Sequence, residues 1–262
     1  MCMAVIRCVS NTSANSGPGY TMFAKGTANN NTVIIKDGAN VAGSVFGGVT
    51  TPRLTEEDEQ QTNILDTKAN GNYVLVKDST VDGLVAGAVG AATANDNTVI
   101  IDNSNVGSAF GATIGRGITN GTESVVNMNN NTVIVRNGST VATTAMAVMN
   151  KSVNAQGNTM TLDNSTMANG AAYSVLMYLG EDTSGGLVQA TVANNTLNLN
   201  NLTSTFKEVG GSLNFAGTSN GNTVNILNSN VTLTNASRKF FDEQLDFTKL
   251  AAANLLPTDV PA

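Results

Sequence analysis

The chain has 262 residues, a formal net charge of −6, 12% charged and 5% aromatic residues, and neither histidine nor tryptophan. The negative charge and the scatter of the basic residues argue against a nucleic-acid partner, because phosphate binding needs Lys and Arg gathered on one surface. Without histidine, Ser-His-Asp and Cys-His catalytic arrangements are excluded and a zinc site is disfavoured. We therefore expect no catalytic residues, metal or cofactor, and the sequence has no apolar run of about 18 residues that could span a membrane as a helix.

Residues 1–28 precede the regular part of the chain. The opening MCMAVIRCVS is too short and interrupted for a signal peptide, which needs an apolar stretch of about 7–15 residues. Cys2 and Cys8 lie in it and are interpreted as free thiols, with a local disulfide as the alternative. The stretch GYTMFAKG has the pattern of half a repeat, so the segment is predicted to be a partial coil or disordered.

A short motif recurs seven times between residues 29 and 236. It opens with Asn, usually Thr, and continues apolar, any residue, apolar, as in NTVII; a polar break such as KDGAN and a second apolar stretch follow. The alternation predicts strands with one buried face, two in each repeat. Because one repeat cannot bury its apolar face alone, stacked repeats must form the core. We therefore predict an all-β fold, a right-handed parallel β-helix of about seven coils.

The prediction of stacked coils places equivalent residues of the repeats in columns along the stacking axis. Two inward columns are expected, one beginning at Val33 and one at Ile35, continuing through Val99 and Ile101 and through Val133 and Val135. The opening asparagines form a third column, where stacked amides can bond to one another; the alternative is a row of ligands for a sugar or a metal. The members of this predicted Asn ladder are Asn31, Asn72, Asn97, Asn131, Asn158, Asn195 and Asn222.

The spacing between repeats alternates between short and long. The extra residues of the long repeats are predicted to loop out near Thr50–Thr62, Thr113–Asn127 and Tyr178–Val192, at the same corner of every second coil. Loops on a rigid scaffold are where binding usually resides, so this row is the candidate contact surface. Its acidic run is the candidate partner-contact loop, although a solvated loop or a calcium site are alternatives; the run comprises Glu56, Glu57, Asp58 and Glu59.

Four aspartates follow the first strand of their repeats. Asp37, Asp78, Asp102 and Asp163 stand five or six residues after the opening Asn. Carboxylates in a column could form the acid–base pair of a glycoside hydrolase, whereas Asp in a turn more often caps that turn. The turn interpretation is favoured.

The tail, residues 237–262, departs from the strand pattern. Its apolar residues recur near helical spacing from Phe240 to Leu255, Ser237 can cap a helix and Pro257 can end one. The pattern predicts a terminal helix covering the open end of the coil stack, because exposed sheet edges invite aggregation.

The repeats NTVII and VAGSVFGG resemble the β-helical passenger repeats of bacterial autotransporter adhesins. The resemblance implies a surface-exposed adhesin or stalk, outer-membrane-associated or secreted, that binds a host or neighbouring-cell receptor or glycan. The sequence lacks the signal peptide and the C-terminal membrane barrel of that family, so the chain is interpreted as part of a longer passenger attached to the membrane only through that barrel. The alternatives are a carbohydrate-active β-helix, either a polysaccharide lyase or a glycoside hydrolase, and a plain structural spacer.

Overall fold

The computed structural model describes residues 11–13, 23–50, 64–113, 117–119, 122–124, 126–150, 153–167, 170–177, 190–213 and 217–233. All regular structure in these residues is β-strand, and strands are numbered in chain order. No helix among them is long and apolar enough to cross a membrane. The helix predicted within 237–262 lies outside the described residues and stays a prediction.

The first sheet contains the opening strand of every repeat. Its seven strands run parallel, and each of the five inner strands pairs with the strands of the repeats before and after it. They are β3 (Thr32–Ile35), β7 (Tyr73–Lys77), β9 (Thr98–Asp102), β14 (Thr132–Arg136), β17 (Thr159–Asp163), β21 (Thr196–Asn200) and β25 (Thr223–Leu227). Coils are numbered from the opening Asn, so coil 1 begins at Asn31 and coil 7 at Asn222.

The second sheet follows the polar break and is also parallel. A separate parallel pair, β22 and β26, contains the corresponding strands of coils 6 and 7. The sheet comprises β4 (Asn40–Val41), β5 (Val45–Val49), β8 (Thr80–Val89), β10 (Asn105–Thr113), β15 (Thr140–Asn150), β18 (Thr166–Met167), β19 (Ala171–Met177) and β23 (Glu208–Leu213); the pair is β22 (Thr203–Phe206) and β26 (Asn230–Leu233).

A third row of strands was not predicted from the sequence. Isolated bridges of Thr93 to Lys68 and Asn127 link its two halves, and antiparallel β1 (Asn11–Ser13) pairs with its first strand. The row comprises β2 (Phe23–Thr27), β6 (Ile64–Lys68), β13 (Val126–Asn127), β16 (Val153–Gln156), β20 (Ala190–Ala193) and β24 (Gly217–Asn220). The expectation of two strands per repeat is therefore corrected to three. These strands escaped notice because they are short, and sequences such as VNAQ and GTSN show little apolar alternation.

The core lies between the three rows of strands. Val33 and Ile35 are 6% exposed, and from Val74 to Leu199 their equivalents are at most 1% exposed. Burial of each such aliphatic side chain contributes about 1.5–3 kcal/mol of favourable free energy to folding, before the entropic cost is subtracted. The all-β prediction is confirmed for the described residues, and the long parallel sheets are consistent with a β-solenoid.

Two corners of each coil use left-handed backbone. The residue before each opening Asn has φ between 55° and 67°. The residue six positions after each opening Asn, just beyond the first-sheet strand, also has positive φ. Only Asn, Asp and Gly occupy these positions, which are the residues that tolerate such angles. The first group is Asn30, Gly71, Asp96, Asn130, Gly157, Asn194 and Gly221; the second is Asp37, Asp78, Asn103, Asn137, Asn164, Asn201 and Asn228.

Candidate functional site

The predicted insertions all lie at one connection of the coil, between the second sheet and the third row. In coil 1 the chain leaves β5 at Val49 and enters β6 at Ile64. In coil 3 it leaves β10 at Thr113 and reaches β13 at Val126, and in coil 5 it leaves β19 after Met177 and enters β20. The strands that flank the three insertions therefore place them at the same corner of alternate coils.

The intervening coils make the same connection with few residues. In coil 2 only Gly90, Ala91 and Ala92 separate β8 from the bridge residue Thr93, and Gly90 has a φ of 84°. In coils 4 and 6 the connections are residues 151–152 and 214–216. A three-residue turn thus suffices here, so the additional residues of the long coils are not needed to close them.

The insertion of coil 3 contains a β-hairpin. Its strands β11 (Gly117–Thr119) and β12 (Thr122–Ser124) pair antiparallel, and β11 contacts β6 of coil 1. Coil 2 contributes no strand between them, only the bridge at Thr93. The second insertion therefore extends past the short coil to β6, the strand that follows the first insertion. The acidic run Glu56–Glu59 of the first insertion lies outside the described residues.

The opening asparagines occupy one column at the corner between the third row and the first sheet. The Nδ2 of each donates to the Oδ1 of the next, at 2.8–3.1 Å from Asn31 through Asn222. The same Oδ1 also accepts the backbone N–H of the preceding ladder Asn, as from Asn97 to Asn131 at 3.1 Å. The second proton of Nδ2 goes to the backbone carbonyl three residues before the preceding ladder Asn, for example from Asn131 to Ala94. Asn97 and Asn131 are fully bonded and 0% exposed, so these members of the column have no free group for an outside ligand.

Small residues of the second sheet face this column. A Cβ added at Gly87 would stand 2.8 Å from the Cβ of Asn97, and one at Gly111 would stand 2.9 Å from the Cβ of Asn131. Both distances are closer than unbonded carbon atoms approach. The backbone oxygens of Gly111 and Ala147 in the neighbouring strand would lie closer still, at 2.6 and 2.5 Å from the two added atoms. Both the ladder and the adjacent strand therefore require glycine at these two positions.

The four aspartates are separated into two columns, and each has a partner. Asp37 and Asp78 lie at the left-handed turn, where Asp78 accepts the Nδ2 of Asn103 at 2.7 Å. Asp102 and Asp163 lie one residue earlier, at the end of the first-sheet strand. Asp163 accepts the Nδ2 of the turn residue Asn201 at 2.8 Å, and Lys36 lies 3.2 Å from Asp37. Asp78, Asp102 and Asp163 thus have the geometry of turn residues bonded to the following coil.

Asp102 is the most constrained of the four. Its Oδ1 accepts Nδ2 of Asn137 at 2.8 Å, and its Oδ2 accepts Nε and Nη2 of Arg136 at 2.9 and 2.8 Å. The hydrogen bond from Asn137 and the charge of Arg136 hold the pKa of Asp102 below its ordinary value, against the effect of burial. Among the described residues, no three Asp, Glu or Cys side chains are grouped closely enough to hold a metal ion.

The outer side of the second sheet has an apolar stripe that the sequence reasoning missed. Phe110, Met146 and Tyr173 occupy equivalent positions next to core residues and hence point away from the core, yet they are at most 6% exposed. The Tyr173 hydroxyl donates to Oε2 of Glu208 at 2.9 Å. Burial raises the pKa of both groups. The signal for this stripe in the sequence was a run of consecutive apolar residues, whereas a strand with one buried face has apolar residues only at every second position.

Two further polar columns were also missed. In the first, a backbone N–H donates to a serine hydroxyl of the next coil, as from Ser79 to Ser104 at 3.0 Å. The second column lies two residues before the main ladder, where a backbone N–H donates to the side-chain oxygen of an asparagine, as from Asn95 to Asn70 at 2.8 Å. The repeated Asn-x-Asn spacing could have revealed the second column.

No protein-family model, curated protein or solved structure matches this chain.

Proposed function

We propose that this chain is a surface-exposed adhesin or stalk segment of an autotransporter passenger, built as a right-handed parallel β-helix with a helical tail. It binds a host or neighbouring-cell receptor or glycan without catalysis, through loops that project from the coils. The resemblance of the repeats supports the passenger assignment. The alignment of the three insertions at one corner supports binding there.

The alignment matters because repeats otherwise offer a partner the same surface in every coil. The bare coils show that the corner closes with three residues, so longer connections cost chain entropy without improving closure. Their presence in alternate coils spaces them by two strand separations, about 9–10 Å, which leaves room for each loop. The contact of β11 with β6 brings the hairpin of the second insertion to the strand where the first insertion ends.

The test is a variant in which residues 51–63, 114–125 and 178–189 are each replaced by Gly-Ala-Ala, the connection of coil 2. We expect unchanged β-sheet circular dichroism and melting, with loss of binding to cells and glycan arrays. The matched control is Thr132→Ala on the outer face of the first sheet, which should bind as the wild type does. Binding that survives loop replacement contradicts the proposal; cleavage of a polysaccharide by the wild type would favour the carbohydrate-active alternative, and absence of any binding the spacer.

A further inference from the structure

Six of the left-handed corner asparagines begin the acceptor sequence for N-glycosylation, which is Asn, any residue except Pro, and then Ser or Thr. Each of the six is exposed and has φ between 43° and 56°. Acceptor asparagines lie in surface loops, which favours these corners over Asn11 and Asn230, within strands β1 and β26. The six are Asn30, Asn130 and Asn194 before the first sheet, and Asn137, Asn164 and Asn201 after it.

The position of the hydroxyl group separates one of the six sites from the others. The acceptor is defined by both the asparagine and the hydroxyl residue two positions later, so both have to be reachable. At five sites the middle residue faces inward, and the asparagine and the threonine stand together on the outer side. At Asn137 the hydroxyl belongs to Ser139, which is 0% exposed and donates to the carbonyl of Arg136. This site is therefore closed in the folded chain.

The hydrogen bonds of the side-chain amide separate the remaining five. N-glycosylation forms a bond to Nδ2, so this nitrogen must not be held by an acceptor. Nδ2 of Asn130 donates to Asp96 at 3.2 Å, and Nδ2 of Asn201 donates to Asp163 at 2.8 Å. In the part of the chain that the structure describes, the corner amides whose Nδ2 has no such bond are those of Asn30, Asn164 and Asn194.

The following coil leaves room beside two of these amides. The residues that stack on Asn30 and Asn194 are Gly71 and Gly221, both with left-handed backbone. A Cβ added at either glycine would lie 2.4 Å from Oδ1 of the asparagine. The amide oxygen therefore rests on a glycine, which has no side chain to crowd a sugar on the neighbouring Nδ2.

We propose that the folded chain is N-glycosylated at three corner asparagines, Asn30, Asn164 and Asn194. The other three corner sites remain unmodified because their amide or their hydroxyl is already engaged. The modification does not depend on the proposed binding by loops, since these asparagines lie at the corners of the first sheet and not at the variable corner.

The reaction needs a sugar nucleotide as glycosyl donor and an asparagine glycosyltransferase as catalyst. The bond between C1 of the sugar and the phosphate oxygen of the nucleotide breaks, and its electron pair stays on that oxygen. A bond forms between C1 and Nδ2, and one Nδ2 proton passes to a base of the transferase. The product is an exposed corner with a bulky polar group.

Peptide mapping by mass spectrometry of the full chain, isolated from the cells that make it, tests the proposal. Sugar is expected on the three asparagines with an unbonded Nδ2 and on none of the other corner sites. A chain without sugar at any of the three overturns the proposal. Occupancy of Asn137 equal to that of Asn30 overturns it as well.

Asn30 and Asn130 provide a matched comparison, because both begin the tripeptide Asn-Asn-Thr. The folded chain is incubated with UDP-glucose and a soluble asparagine glucosyltransferase. Asn30 should react about tenfold faster than Asn130, whose Nδ2 must first leave a hydrogen bond to a carboxylate. In tryptic peptides of the same chain, where that bond is absent, the two should react at similar rates. Equal rates in the folded chain contradict the structural selection.

The hydroxyl requirement is tested at Thr32. Thr32→Ala keeps Asn30 and should abolish its modification, while circular dichroism and melting stay unchanged because Thr32 is exposed on the outer side of the first sheet. Thr32→Ser, which retains the hydroxyl, should restore the modification. Glucose that persists on Asn30 in Thr32→Ala would show a reaction other than the proposed one and would overturn it.

Discussion

Two corners of the same coil follow opposite rules. At the corner before the first sheet, the left-handed residue stands directly before the opening Asn in every coil, and in coils 2 to 6 that asparagine is buried and bonded to its neighbours. At the corner after the second sheet, the connection varies from two residues in coil 4 to a segment containing a hairpin in coil 3. The continuous column of buried amides thus accompanies a fixed length at one corner, and the other corner, which has no such column among the described residues, varies in length.

The largest effect is expected from a charge in the core beneath the asparagine corner. Val133→Asp places an unpaired carboxylate at a position that is 0% exposed, which should cost more than about 4 kcal/mol of unfolding free energy. Thr132→Asp, the outward neighbour, should change it by less than about 0.5 kcal/mol. Urea unfolding measures both. Equal losses would show that the strand register is wrong.

The asparagine corner itself is tested by Asn131→Ala. The change removes the acceptor of the Asn97 N–H and Nδ2 and the donor to Ala94. Because each buried group left unbonded costs about 1–3 kcal/mol, we expect a loss of roughly 3–5 kcal/mol. Asn198→Ala, on the outer side of the first sheet, removes a bond to Thr161 and a bond from Asn225 at positions that water can reach, and it is the control. Similar melting temperatures for the two variants would contradict a structural role of the column.

A smaller effect is expected where the second sheet packs on the ladder. Gly111→Ala brings a Cβ to 2.9 Å from the Cβ of Asn131 and should cost about 1–3 kcal/mol through overpacking. Gly43→Ala is the matched control, since its Cβ would meet no atom within 4 Å. Thermal unfolding of the two variants compares them. If both lose the same stability, the loss reflects chain flexibility and not contact with the ladder.

The smallest effect concerns pH, and two carboxyls should act in opposite directions. The pKa of Asp102 is lowered in the fold, so its stabilisation is present above its unfolded pKa and is lost as pH falls through the folded value. The pKa of Glu208 is raised, so its folded state is favoured at low pH and loses stability as pH rises through the unfolded and then the folded value. Comparing Asp102→Asn and Glu208→Gln with the wild type from acid to neutral pH measures this. If both substitutions change the pH dependence of the unfolding free energy in the same direction, the opposite pKa shifts of Asp102 and Glu208 are contradicted.

The prediction of binding at the variable corner is sharpened by the same reasoning. Because the inner amides of the asparagine corner are bonded and buried, from Asn97 to Asn158, a partner gains little there, whereas the three insertions differ in length and chemistry at one place. Loop replacement should thus affect binding and not stability, whereas Asn131→Ala should affect stability first.

The sequence by itself determined which residues repeat and which side of the opening strand is buried. Val33 and Ile35 alternate with polar or exposed neighbours, and seven copies of one motif require stacking, since a single copy cannot bury its apolar side. The positions of the insertions followed from spacing alone. The asparagine column could be predicted because identical residues in stacked strands must lie one strand separation apart.

Only the tertiary structure decided what depends on contacts between distant residues. The third row of strands is held by backbone pairing between repeats, which leaves little trace in short segments such as Val126–Asn127. The two columns of Asp78 and Asp102 match their spacing of six and five residues from the opening Asn, but their hydrogen-bond partners in the following coil are visible only in the structure. The exposure of Val224 and Ile226 in coil 7 is likewise invisible in its sequence, because both follow the same pattern as their buried equivalents.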